Sequence, residues 1–185
     1  MSELTPSQTV GPYYAYGLTP EGRKKWKPND LYKWKETVGD NLVTPDAAGE
    51  RIRIEGVIYD GDGQPITDAM LEIWQADAQG RYADPRNAKV LPNTKFKGFG
   101  RSATDDNGLF AFDTIKPGSR GMLRQVYTRL YFSDEAANAS DPVLALVPAD
   151  RRDTLIAKRE SRDGKTIYRF DIRVQGEGET VFFEV

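Results

Sequence analysis

The sequence contains no cysteine and no histidine in 185 residues. Without cysteine there is no disulfide framework, no thiol nucleophile and no thiolate metal site. Without histidine the chain lacks the commonest general base and the commonest metal ligand. A Ser-His-Asp triad, a Cys-His dyad and any histidine-based zinc site are therefore excluded. Charge of one sign is missing too: 26 Lys+Arg stand against 28 Asp+Glu, so no basic excess is available to hold nucleic acid or an anionic membrane. No run approaches the roughly 18 consecutive apolar residues of a membrane span. Met1 to Val10 lack both a charged start and an apolar stretch, so no secretory signal is read there. The expectation is a soluble, cytoplasmic chain.

What is present is ordinary globular material. Hydrophobic residues make up 38% of the chain and charged residues 29%, which rules out wholesale disorder. A chain of this length buries roughly 70% of its unfolded surface and needs no metal or disulfide to fold. Residues 1–50 read as an arm. Pro6, Pro12, Pro20, Pro28 and Pro45 break any long periodic run, and Tyr13, Tyr14, Tyr16, Trp26, Tyr32 and Trp34 make it too aromatic for a free tail. Such an arm either wraps its own domain or docks on a partner chain, where Tyr and Trp are enriched.

From Arg51 the pattern changes to a period of two. Ile52, Ile54 and Ile58 fall on one face and Arg51, Arg53 and Glu55 on the other, as in a half-buried strand. Asp60-Gly61-Asp62-Gly63-Gln64-Pro65 is a turn cluster, and Ala69 to Gln75 reads as the next strand. Phe99–Thr104 and Leu109–Ile115 flank Asp105-Asp106-Asn107-Gly108, a hairpin signal. Met122–Phe132 reads as a long core strand, the alternation from Thr166 to Val174 as another, and Thr180–Val185 as a last one after the Gly176-Glu177-Gly178 turn. Short helices are expected only at Asp134–Ala139 and Asp150–Ala157, the second capped by Asp150. Short strands with frequent turns imply an all-β, antiparallel β-sandwich over residues 51–185. Its core is expected from Ile52, Ile54, Leu71, Ile73, Phe110, Phe112, Leu130, Phe132, Phe170 and Ile172.

The run Ile54 to Tyr82, IEGVIYDGDGQPITDAMLEIWQADAQGRY, resembles the signature of the intradiol ring-cleavage dioxygenases. Gly56 to Ala69 alone is shared with transthyretin-like and carboxypeptidase-regulatory-like modules. The continuation through Glu72-Ile73-Trp74-Gln75-Ala76 to Gly80-Arg81-Tyr82 is much more specific. Gly100 to Gly108, Ile115-Lys116-Pro117-Gly118, Tyr131-Phe132 and Tyr168 to Ile172 follow in the family's order. The resemblance, which extends to the Pro6–Tyr13 opening and the Gln175–Phe183 close, covers nearly the whole chain.

The resemblance implies non-haem Fe(III) held by two Tyr phenolates and two neutral His, with dioxygen opening a catechol ring between its hydroxyl-bearing carbons. In that scheme the position of Tyr82 supplies one phenolate, and the second Tyr follows a Lys-Pro-Gly. Here Lys116-Pro117-Gly118 is followed by Ser119-Arg120-Gly121, and there is no His. A ferric site needs several convergent ligands, so Tyr82 is read as a structural remnant, its ring packed and its hydroxyl hydrogen-bonded. The family's two-chain members pair an iron-free alpha chain with an iron-bearing beta chain in a multi-copy oligomer and act on 3,4-dihydroxybenzoate. The resemblance therefore implies that no metal is bound here, that the Fe(III) sits in the partner, and that this chain lends substrate-binding groups. Arg120 is the first candidate, because a guanidinium pairs with a carboxylate through two charge-assisted hydrogen bonds. The loop Thr9, Gly11, Pro12 and Tyr13 is the second: glycine permits close approach, proline stiffens the loop and Tyr13 offers an aromatic wall. The alternative is a transthyretin-like, non-catalytic binding or scaffold module.

One departure concerns length. Only Lys116 to Gly121 separate the strand ending at Ile115 from the one starting near Met122, where the family carries about a loop and one strand more. Either the chain is shortened there or residues are absent between Gly118 and Gly121.

Overall fold

The computed structural model describes residues 39–82, 96, 98–118 and 128–183. Among the described residues, eight strands form two sheets. The larger contains β1 (Arg51–Tyr59), β4 (Leu109–Ile115), β5 (Tyr131–Phe132), β6 (Ile156–Arg162), β7 (Lys165–Arg169) and β8 (Ile172–Arg173). Its order is β4-β1-β7-β6-β5, with β8 also pairing β1. The smaller sheet is β2 (Met70–Trp74) against β3 (Phe99–Ala103). The all-β class is as expected, but pairing in the larger sheet is mixed: β1 runs antiparallel to β4 and parallel to β7 and β8.

β1 carries the period-two pattern into the core. Ile52, Ile54 and Ile58 are buried among Phe110, Phe112, Phe132, Phe170 and Ile172, while Leu71, Ile73 and Leu130 pack on this cluster half-buried. Tyr168, Leu42, Phe96 and Ile115 complete it and were not in the sequence-based core. Leu42 belongs to the 39–50 segment, which lies against its own sandwich: Leu42 donates to the Asp113 carbonyl, and Arg51 holds the carbonyls of Thr44, Pro45 and Ala47. Residues 1–38 lie outside the described residues.

Several local expectations need correction. Asp105–Gly108 does form a tight turn, with Asp105 accepting from the Asn107 and Leu109 amides. Its flanking strands do not pair with each other, however; the turn carries the chain from the smaller sheet to the larger. Glu55 is not on a solvated face but buried between Arg53 and Arg162, at 3.0 Å from each. Burial works to raise its carboxyl, yet hydrogen bonds and charge from the two arginines hold it below the ordinary range. The Thr166–Val174 alternation is one strand interrupted at Phe170-Asp171. There the Asp171 carboxylate takes the Val57 amide, and a Cβ on Gly56 would lie 1.8 Å from the Phe170 carbonyl oxygen. Of Met122–Phe132 only Tyr131–Phe132 is strand among the described residues, and the described part of Thr180–Val185 is not strand.

The expected helices shift as well. Ala136–Ser140 and Ala149–Leu155 are 3-10 turns, and Ile156–Arg162, whose first two residues were expected as helix end, is strand. Asp150 sits in the first turn of the second 3-10 segment but does not cap it. The cap that exists is Asp141, whose side chain accepts from Val143 and Leu144 at the start of α1 (Pro142–Leu146). An Asp immediately before a Pro at the first helical position is a signal the sequence offered.

Candidate functional site

The two most specific motifs meet at one corner. Gln75, directly after β2, is buried and bonded to β4: its amide nitrogen donates to the Ile115 carbonyl at 2.9 Å, and its oxygen accepts from the Thr114 hydroxyl at 2.8 Å. Two residues on, the buried Asp77 organises the turn to Tyr82. Its carboxylate accepts from the Gln79 and Arg81 amides and from the Arg81 guanidinium. Burial alone would raise this carboxyl; the Arg81 bond and the backbone amides keep it below its ordinary value. Gly80 adopts φ 77°, a conformation that glycine enters freely.

Lys116-Pro117-Gly118 docks onto this turn. The Gly118 amide donates to the Asp77 carbonyl at 2.9 Å, and a Cβ at Gly118 would lie 2.5 Å from the Ala78 oxygen. Lys116 fixes the other side. Its ammonium lies 3.1 Å from both Asp134 and Glu135 and over the rings of Phe132 and Tyr168. Partial burial works to lower its pKa, but hydrogen bonds to Asp134, Tyr168 and Glu135 push it well above the usual lysine range. Tyr168 donates in turn to Asp134 at 2.9 Å.

Beside this corner lies a cavity of about 480 Å³ between the two sheets. Tyr82 lines it, its ring packed at a 50° tilt against Trp74 with centroids 4.8 Å apart. The ring is packed as expected, but the hydroxyl has no hydrogen-bond partner among the described residues, contrary to expectation. Burial raises its pKa, with the Arg129 charge opposing, so the phenol is kept protonated. Arg129, Tyr131 and Asp141 form a second polar group on the wall: Arg129 reaches the Tyr131 hydroxyl at 3.4 Å, and Tyr131 donates to Asp141 at 3.0 Å. Sequence reading did not single out Arg129; a lone arginine in an apolar run, Thr128-Arg129-Leu130-Tyr131-Phe132, was the available signal.

Arg120 lies outside the described residues, between Gly118 and Thr128, which both line the cavity. Thr9, Gly11, Pro12 and Tyr13 also lie outside them, as does the link between Gly118 and Gly121. The donor set for a ferric ion does not fit this chain. It has no imidazole, the Tyr82 phenol packs on Trp74 with its pKa raised by burial, and no cluster of three His, Cys, Asp or Glu occurs among the described residues.

Comparison with known proteins places this architecture. A dioxygenase family model matches residues 33–125. The chain is 44% identical to the protocatechuate 3,4-dioxygenase alpha chain of Burkholderia cepacia, covering 98% of this chain and 97% of that one. It is 47% identical to the Pseudomonas putida alpha chain, covering 97% and 96%. Identity to the Burkholderia cepacia beta chain is 32%, over 71% of this chain and 67% of that one. The Burkholderia alpha-chain match runs over 200 positions, more than the 185 residues available, so that relative carries residues this chain lacks. Among solved structures, the dioxygenase domain of a Streptomyces sp. SirexAA-E fusion protein shares the fold, with a TM-score of 0.55 at 24% identity over 94% of this chain and 99% of that one. Dioxygenases of this family are iron-dependent, and both alpha and beta chains occur among the relatives. The chain belongs to the intradiol ring-cleavage dioxygenase family, on the branch of its alpha chains.

Proposed function

We propose that this chain is the metal-free half of a cytoplasmic, two-chain protocatechuate 3,4-dioxygenase. Its arm, residues 1–50, and its sandwich complete the substrate pocket of a homologous beta-type chain that holds the Fe(III), in an oligomer of several such pairs. The observation that carries this reading is the alpha-chain match along almost the whole chain, joined to a ligand frame without imidazoles. The reaction consumes 3,4-dihydroxybenzoate and dioxygen. The ring bond between the hydroxyl-bearing carbons breaks, both oxygen atoms enter the product, and 3-carboxy-cis,cis-muconate results. Iron in the partner would bind the catechol oxygens and make the ring reactive toward dioxygen. This chain's part is to hold the substrate's carboxylate, through Arg120, with Thr9, Gly11, Pro12 and Tyr13 forming the adjoining wall. Arg120 follows Gly118 by two residues, and the Gly118 amide is itself bonded to the Asp77 carbonyl.

An unpaired carboxylate in an apolar cleft is costly, and a desolvated bond to a charged group is worth roughly 1.5–3 kcal/mol. Co-expressed with a beta-type chain, the protein should co-purify with it in equimolar amount. Arg120→Ala should then raise KM for 3,4-dihydroxybenzoate about ten- to a hundred-fold, while turnover of plain catechol changes far less. Equal losses on both substrates, or none on either, would remove Arg120 from the substrate site. Failure to assemble with any beta-type chain would remove the subunit reading itself.

A further inference from the structure

The cavity beside the dock has no task in a chain whose reaction takes place on its partner. Its volume of about 480 Å³ falls within the roughly 300–1,000 Å³ of small-molecule sites. Its walls are apolar and aromatic: Ile73 from the smaller sheet packs toward Ile54, Phe110 and Phe112 from the larger, and Trp74 and Tyr82 also line it. Three carboxylates line it, and each is engaged. Glu72 pairs with Arg101 at 2.6 Å and Glu135 with Lys116 at 3.1 Å. Asp141 accepts from two helix amides and from the Tyr131 hydroxyl.

Arg129 is in a different position. Its side chain is only 15% exposed, yet its nearest carboxylate, Asp141, is 3.8 Å away. Its one hydrogen bond among the described residues is the long 3.4 Å contact to Tyr131. A guanidinium presents five N–H donors in a planar fork, and neither contact uses that fork bidentately. A largely buried cation whose donors are mostly unused among the described residues, at the edge of an aromatic cavity, selects an apolar ring carrying one planar anion. The surrounding carboxylates disfavour a polyanion, and the apolar walls disfavour a sugar.

We propose that this cavity binds a small aromatic carboxylate, its ring against Trp74 and Tyr82 and its carboxylate on the fork of Arg129. The site belongs to this chain's own residues and does not need Arg120.

The test is equilibrium dialysis of benzoate against the assembled two-chain complex, since benzoate lacks the catechol hydroxyls and is not turned over. Arg129→Gln should weaken one class of benzoate sites at least ten-fold, while Arg120→Ala leaves that class in place. Asp141→Asn removes the competing charge and keeps a capping side chain, so it should tighten benzoate several-fold. Should Arg129→Gln fail to assemble, Asp141→Asn decides alone: unchanged benzoate affinity in that variant overturns the proposal. So does benzoate binding that is lost in Arg120→Ala but retained in Arg129→Gln, an outcome that would leave the proposed role of Arg120 standing.

Discussion

The corner where Asp77 meets Gly118 and the cavity next to it are neighbours built on opposite terms. At the corner almost every polar atom is used. Gln75 spends its amide on β4, Asp77 takes three side-chain or backbone donors from its own turn, and Gly118 closes against the turn backbone with no room for a side chain. In the cavity, by contrast, Arg129 has loose contacts and Tyr82 has a hydroxyl without a described partner. The corner is thus fixed by bonds within the fold, whereas the polar groups on the cavity wall are held by fewer contacts among the described residues.

The strongest way to break this contrast is to disturb the closest approach. Gly118→Ala puts a methyl group 2.5 Å from the Ala78 oxygen and 2.8 Å from the Gly80 nitrogen, both backbone atoms that cannot swing away. Overpacking of this kind costs about 1–3 kcal/mol or more, and here the upper end is expected because the Gly118–Asp77 hydrogen bond is strained at the same time. Urea unfolding of the co-expressed assembly should show it as a lower midpoint at unchanged slope. A substitution tolerated without loss would mean that the two motifs are merely adjacent.

Gln75→Leu is the next test. It leaves the Thr114 hydroxyl and the Ile115 carbonyl buried without their partner, at about 1–3 kcal/mol for an abandoned group. On the cavity side, Tyr82→Phe removes a hydroxyl with no described partner and should change stability by less than about 0.5 kcal/mol. If the two substitutions cost the same, the distinction between a fully bonded corner and a loosely bonded cavity is wrong.

How far the sequence shows this differs by element. β1 to β4 were legible within about one residue because alternating isoleucines and phenylalanines, bounded by Gly and Asp turns, leave little choice. β6 was not: Lys158-Arg159-Glu160-Ser161-Arg162 has no apolar face to alternate, and pairing with β7, with β5 at Ile156–Ala157, is what makes β6 a strand. Which strands pair across the Asp105–Gly108 turn is likewise a tertiary choice, because a tight turn serves a hairpin and a sheet crossing equally well. The corner was visible as two motifs, but not as a contact: the Asp77–Gly118 bond spans residues whose meeting only the fold decides. Arg129 carried too little pattern to be noticed, and Arg120 rests on the resemblance alone.

The last expected effect is the most specific to the corner. Asp77→Asn keeps the shape of the side chain and removes its charge. Hydrogen bonds to charged groups contribute roughly 1.5–3 kcal/mol and neutral ones roughly 0.5–1.5, so the exchange should cost about 1 kcal/mol near neutral pH. Its dependence on pH identifies the cause. Asp77 has a folded pKa held below its ordinary 3.8 by Arg81 and the turn amides, against the opposing effect of burial. A depressed carboxyl contributes stability that is fully present above the unfolded value and is lost as pH falls through the folded one. The gap between the wild-type assembly and Asp77→Asn should therefore be constant from neutral pH down to about 5 and shrink as pH drops below about 4. Urea midpoints measured at a series of pH values give this gap directly. A gap that persists undiminished at the lowest pH where the assembly still folds would show that the asparagine perturbs packing, and that the charge on Asp77 does not hold the turn.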